Sequence, residues 1–248
     1  DIVVSGAGVH ITYNNLIPSA EKNRIKYLDE AVSLPQSFGH LSLYIGLQHT
    51  AEELNLPKAN YWIYPNGVDH DKAIEDFLQD INNEFPVVYI SLNKKKNPKF
   101  LEKYPGRSTI EIITVAKYDW FKEWENTRWK KRGEEYDVLK EKLAQRLLAH
   151  LYKYEPQLQG KIDIYELSTP ITTKHFCNYL NGEIYGLDHQ PSRFEKDYLK
   201  PATPIKNLFL TGQDIVTVGI GGALMSGVLT ASAITKSNLI SEIVKTAK

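Results

Sequence analysis

The chain has 248 residues, 30 Lys+Arg against 30 Asp+Glu, 42% hydrophobic residues and a single cysteine. That length supports a sizeable buried core in one large or two small domains, and the ordinary composition excludes disordered and fibrous chains. Zero formal net charge provides no field to gather a polyanion, which sets nucleic acid aside, and Cys177 alone cannot close an internal disulfide.

In chain order, Ile2–Ser5 reads as a strand, Gly6-Ala7-Gly8 as a turn, and the segment to Ile17 as a short helix that stops at Pro18. A second helix is predicted over residues 20–31. Leu41, Leu43, Ile45 and Leu47 alternate with polar or small residues, the period of a strand with one apolar face. Strands are also expected at residues 60–65, Val87–Leu92 and Ser108–Ala116, and a helix near Lys72–Ile81 capped by Asp69 or Asp71. Lys94-Lys95-Lys96 reads as a solvated turn. Glu134–Tyr154 is the clearest helix, with leucines at 139, 143, 147 and 151. A strand at Ile162–Glu166, a turn at Thr169-Pro170, a strand at Leu208–Thr211, a loop over residues 212–222 and a last helix running into the 240s complete the chain. Alternation at both ends around a strand-rich middle predicts a mixed α/β protein.

Ile215–Ile234 carries no charge over 20 residues. Glycines break its first third, leaving about 14 helical residues, or roughly 21 Å. A hydrocarbon core is roughly 30 Å thick, so a buried helix is expected. No basic segment precedes an apolar core at the amino end, and the chain, opening at Asp1, reads as part of a longer polypeptide.

Several chemistries are weighed against these residues. Gly6-Ala7-Gly8-Val9-His10-Ile11 follows a strand but has Ile11 where a dinucleotide fingerprint needs its third glycine, so a tight strand-to-helix turn competes with a nicotinamide site there. No histidine spacing suits zinc, and no GxSxG elbow is present; metal is set at none and the catalytic residues stay unknown. Aromatic and basic residues interleave from Trp120 to Arg132, yet interspersed acids cancel the charge; an amphipathic segment with its tryptophans against a core or a lipid surface is expected. The strongest local pattern is Asn207–Asp214 followed by Val218–Gly227. A strand delivers Gly212 and Asp214 to a loop, and glycines then expose amides where a helix begins, a place suited to an anion or an electron-rich ring.

At these residues the stretch NLFLTGQDIVTVGIGGALMSG resembles the carboxyl-terminal flavin-binding segment of the phytoene desaturase–carotenoid isomerase–retinol saturase flavoproteins. The likeness extends through TVAKYDWFKEWENTRWKKRGEEYDVLK, PQLQGKIDIYELSTPITTKHF and NGEIYGLDHQPSRF, which look most like the retinol saturase branch. The resemblance implies part of a Rossmann-like FAD-binding domain plus a mixed-sheet substrate lobe. Residues 1–17 and 161–248 would belong to the former and 18–160 to the latter, with the amino-terminal dinucleotide-binding half outside this chain. It also implies an FAD-dependent oxidoreductase as the full-length parent, acting on carbon–carbon bonds of an apolar isoprenoid substrate.

Carried over residue by residue, the resemblance implies that Gly212 and Asp214 approach the ribityl and phosphate portion of FAD. Gly221, Gly222 and Ala223 would present helix-start amides near the flavin's pyrimidine edge, and Tyr185 would line the substrate pocket. Gly6 stands where the family usually has Asn. The isolated chain is expected to bind FAD weakly or not at all and to be inactive. Its expected partners are the isoprenoid substrate, the missing amino-terminal half and a peripheral membrane contact through Trp120 and Trp124; its expected location is cytoplasmic or peripheral to a membrane. A non-catalytic apolar-ligand-binding protein of the same fold is the competing reading.

Overall fold

The structure is a computed structural model that describes residues 1–65, 67, 69–92 and 98–246. The Lys94–Lys96 turn lies outside the described residues. From the amino end come β1 (Val3–Ser5), α1 (Val9–Ile11) continued by a π-helical turn (Thr12–Leu16), α2 (Ser19–Lys22) and α3 (Leu28–Ser33). Then follow β2 (Gly39–Leu47), β3 (Asn60–Ile63), α4 (His70–Gln79), β4 (Val88–Leu92), α5 (Pro98–Lys103) and β5 (Ser108–Ala116). Two 3-10 turns, Tyr118–Trp120 and Lys122–Trp124, lead to α6 (Glu134–Tyr154), β6 (Ile162–Ser168) and α7 (Pro170–Cys177). The chain closes with α8 (Pro191–Phe194), β7 (Leu208–Leu210), α9 (Gly219–Thr235) and α10 (Leu239–Thr246). The protein is therefore mixed α/β, with both parallel and antiparallel sheets.

It divides into two compact units, residues 38–182 and residues 1–37 with 183–248. The sequence boundaries fell at 17/18 and 160/161. The difference has a physical cause at each end. Ile25 and Ala31 are buried in one cluster with Val9, Tyr13, Leu187 and Leu210, which keeps residues 18–37 with residues 1–17 and 183–248. In the other unit β6 pairs antiparallel with β2, Leu43 opposite Leu167, which keeps residues 161–182 with the strands before them.

The unit spanning residues 38–182 is a five-stranded antiparallel sheet in the order β3-β4-β5-β2-β6. β5 alternates buried and half-buried residues along its whole length, the signature of a sheet covered on one face. The covering element is α6, where Leu143, Leu147 and Leu151 are buried together with Tyr136, Ala144 and Leu148. Asp69 caps α4 by accepting from the amides of Asp71 and Lys72. On the opposite face Tyr44, Gly46, Glu111, Thr109, Ile164 and Glu166 line a hollow of about 390 Å³, and Ile164 closes over Gly46, where a Cβ would stand 2.9 Å from its Cγ2.

In the other unit β1 and β7 form a two-stranded parallel sheet, Val4 opposite Phe209. Tyr27 stacks on Tyr198 with centroids 4.6 Å apart and meets Tyr13 edge-on. Burial pushes the Tyr198 phenol up to about 12, so this cluster is neutral throughout the physiological range.

Three expected elements differ. The helix over 20–31 is two short helices, α2 and α3, with Asn23–Tyr27 between them. Thr169-Pro170 is not a free turn but the start of α7: Thr169 and Thr172 form a capping box, and Pro170 takes the first helical position. The last helix does not run on; Lys236 turns left-handed at φ 55° and separates α9 from α10. Among the described residues no helix is long and apolar enough to cross a membrane.

Candidate functional site

The site begins where β7 ends. Thr211 is still held in register, its amide donating to the Ser5 carbonyl, and the chain then turns at Gly212. The Gly212 amide donates to Ser226 Oγ at 2.7 Å, and that hydroxyl in turn donates to the Ala223 carbonyl. One turn further, Thr230 Oγ1 stands 2.9 Å from the Leu210 carbonyl and 2.7 Å from that of Ser226. The buried face of α9 is thus Gly222, Ser226 and Thr230, a small and polar stripe at spacing four. Gly222 must lack a side chain, because a Cβ there would lie 2.0 Å from the Thr217 carbonyl oxygen.

The opposite face of α9 is apolar and exposed. Ile220 is 89% and Leu224 70% accessible, and Met225 lies beside them. The helix start has no side-chain cap, and a side chain at Gly219 or Gly221 would meet nothing within 4 Å. The backbone at Gly219 and Gly221, where α9 starts, is therefore unobstructed by side chains.

The amides available there differ from those expected. α9 begins at Gly219, so the first-turn donors are Gly219, Ile220 and Gly221. Gly222 and Ala223 already donate back along the helix to the carbonyls four residues earlier. Of the three residues named from the sequence, only Gly221 keeps a free-donor position; the helix starts two residues sooner because Val218, extended at φ −62° and ψ 157°, ends the loop.

Asp214 is 5% accessible, and both of its carboxylate oxygens are engaged within the protein. Oδ2 accepts from the Val9 amide at 2.8 Å and Oδ1 from the Leu187 amide at 2.9 Å. Asp214 thereby ties together three segments distant in sequence, and its direct observed role is that of a brace. The same bond bears on the nicotinamide alternative at Gly6–Ile11. The first amide of α1, which a phosphate would need, is taken by a carboxylate whose charge repels phosphate. That alternative is corrected to a structural turn.

Tyr185 is 41% accessible, and its amide donates to Ser37 Oγ. Next to it Gly186 has φ 67°, and a Cβ would stand 2.1 Å from Asp214 Oδ1, so that turn requires glycine. The tryptophan expectation divides. Trp120 and Trp124 pack against the main core around buried Phe121, Trp120 edge-on to Phe77 at 5.2 Å, and Arg132 is buried with Nη1 donating to the Trp124 carbonyl. Core packing takes up part of each ring and leaves the rest of Trp120 and Trp124 accessible.

His189 and Arg193 were missed. They hold the far side of the 212–218 turn; His189 lies ahead of α8 and Arg193 within it, so no helical spacing in the sequence marks them as a pair.

No family model matches the chain. Curated proteins do. An all-trans-retinol 13,14-reductase of Danio rerio is 34% identical over 254 aligned positions that take in all of this chain, and that of Homo sapiens is 33% identical over 98% of it. The chain is homologous along its whole length to proteins of that name. It spans only about two fifths of their length, 42% and 41% respectively. A protein named inactive all-trans-retinol 13,14-reductase, also of Danio rerio, is 31% identical over 94% of the chain, so overall likeness does not separate active from inactive relatives. The resemblance to the retinol saturase branch seen in the residues is borne out by these relatives.

Proposed function

We propose that the chain is part of an FAD-dependent oxidoreductase whose whole polypeptide reduces a carbon–carbon double bond of a retinoid or a similar apolar isoprenoid. The observation that carries this reading is the whole-length likeness to proteins named retinol reductases. The cofactor assignment adds the open, uncapped start of α9, which fits a group needing free backbone donors and no side-chain obstruction. On this reading Gly212, Gly219, Ile220 and Gly221 hold the cofactor, and Asp214 keeps their turn in place by bracing Val9 and Leu187. When bound, FAD supplies the hydride chemistry, which is compatible with the absence of an identified acid–base pair. Gly222 serves by letting the start of α9 lie against the Thr217 backbone, not by donating, and Ala223 stands exposed.

The substrate lobe on this reading is the five-stranded sheet. Its uncovered face carries Tyr44, Ile113 and Ile164 beside the hollow at Gly46, an apolar surface with polar neighbours of the kind ligand pockets use. Tyr185 remains a proposed pocket residue on its exposure alone. A two-stranded parallel sheet is not a self-sufficient unit, and Val3 and Val4 of this one, with Ile2 just before it, are exposed. The remaining length of the parent polypeptide completes a Rossmann-like sheet beside β1 and covers α9, and without it the chain holds FAD weakly and is inactive.

The test is expression of the full polypeptide encoded with this chain. It is expected to retain flavin through desalting and to reduce all-trans-retinol, and Gly221→Val should abolish flavin retention while the protein stays folded. A full polypeptide that never retains flavin overturns the proposal. Flavin retained without any turnover favours the second reading, a non-catalytic binder of apolar ligands, for which the relative named inactive is the supporting observation.

A further inference from the structure

The turn between β7 and α9 is held from outside itself. Arg193 is 4% accessible, and its guanidinium Nη2 donates to the Gln213 carbonyl at 2.7 Å while Nη1 donates to the Leu187 carbonyl at 2.9 Å. At the other end of the turn the Val218 amide donates to His189 Nε2 at 3.1 Å. Because Nε2 accepts, the neutral ring carries its proton on Nδ1. Arg193 Nη1 lies 3.1 Å from both ring nitrogens, and Phe194 meets the ring edge-on at 5.7 Å. One short segment, residues 187–193, therefore grips the turn at Gln213 and at Val218, with Asp214 returning a bond to Leu187 between them.

We infer that His189 and Arg193 are positioning residues for the Gly212–Val218 turn, fixing where α9 begins and keeping its first amides turned out for a ligand, and that protonation of His189 releases the Val218 end. The inference rests on the flavin reading for what occupies the turn, but the clamp stands on its own hydrogen bonds. Val218 is the residue just before α9, so its amide is one of the orphan donors of the helix start; His189 satisfies it and leaves Gly219, Ile220 and Gly221 for a partner. An imidazolium at 189 would lose its acceptor atom and face the Arg193 guanidinium directly. The charged groups around His189 are Arg193, which opposes protonation, and Asp188 and Asp214, which favour it. Burial acts with Arg193 and holds the imidazole below its ordinary value, so the clamp is closed at neutral pH and opens on acidification.

The test is hydrogen exchange on the full polypeptide that contains this chain, read at the Val218 amide as a protection factor between pH 8 and pH 5, with melting by circular dichroism as the control for folding. The wild-type amide is expected to be protected at pH 8 and to lose about tenfold in protection as the pH falls through the His189 titration, the scale of one hydrogen bond. His189→Leu should give the low value at every pH. His189→Gln, whose amide oxygen can accept but does not titrate, should restore protection and flatten the pH profile. Protection in His189→Leu within twofold of wild type, or a flat wild-type profile, overturns the inference. If His189→Leu does not fold, the contrast between the wild-type and His189→Gln profiles decides it. A clamp seen by exchange in a full polypeptide that holds no flavin would sink the cofactor reading and leave the clamp standing.

Discussion

Leu147 on α6 and Leu224 on α9 are the same side chain on two long helices, yet Leu147 is fully buried and Leu224 is 70% accessible. α6 is a charged helix with a leucine stripe, and the stripe is covered by its own sheet. α9 is the more apolar helix, and it turns its glycine, serine and threonine inward and its isoleucine, leucine and methionine outward. Burial in α6 is decided by apolar area. In α9 it is decided by close approach and by hydroxyls that satisfy the carbonyls and amides at the end of β7. An exposed apolar helix face of this kind beside a two-stranded parallel sheet is a surface on which a further partner can pack.

The sharpest way to break this contrast is to truncate both leucines. Leu147→Ala should destabilise the protein by about 2–5 kcal/mol, the transfer loss plus the cavity left behind, seen as a fall in denaturant midpoint. Leu224→Ala should stay within about 0.5 kcal/mol of wild type in this chain. Comparable losses at both positions would mean that α9 is covered after all.

A second pair sharpens the comparison within α9 itself. Gly222→Ala drives a methyl group into the Thr217 carbonyl oxygen and should cost about 1–3 kcal/mol, the range for overpacking. Gly221→Ala meets nothing within 4 Å at a non-strained position and should leave stability unchanged or raise it slightly, since alanine favours the helix by up to about 1 kcal/mol. Thermal melts of the two variants side by side read the difference. Equal melting temperatures would show that α9 does not press against the Thr217 turn.

These contrasts also mark what was legible in the sequence. The α6 stripe and the β2 and β5 alternation were readable because burial there follows side-chain polarity at a fixed period, 3.6 or 2. The glycines around α9 were readable as a candidate site, since a strand ending in Gly212 leads into a run of small residues where a helix begins. Their individual roles were not. Whether Gly221 is open and Gly222 packed depends on where the helix starts, and that is set by Val218, whose amide is bonded to His189, 29 positions earlier in the chain. Asp214 was picked as a donor-binding carboxylate, but its partners Val9 and Leu187 come from distant segments that no local window joins. α7 was missed because Thr169-Pro170 signals a turn and a helix start equally well until Thr172 closes the capping box.

The smallest expected effect concerns pH and reports on both units at once. His40 and His150 in the sheet unit and His189 in the other are all held neutral, burial being the leading cause in each, so their pKa values lie below the ordinary 6.5. Just below that pH the unfolded chain binds protons that the folded chain refuses, so unfolding takes up protons and stability falls as the pH drops. Above 6.5 these histidines contribute no slope. Glu125 and Glu141, lowered by bonds from Lys174 and Tyr165, act in a separate window, since their contribution fades only as the pH falls below about 4.5. The melting temperature should therefore be level from pH 8 to near 6.5 and decline toward pH 5. His189→Gln should remove only part of that decline, because His40 and His150 sit in the other unit; removal of the whole of it would place the acid sensitivity in the clamp and not in the sheet core.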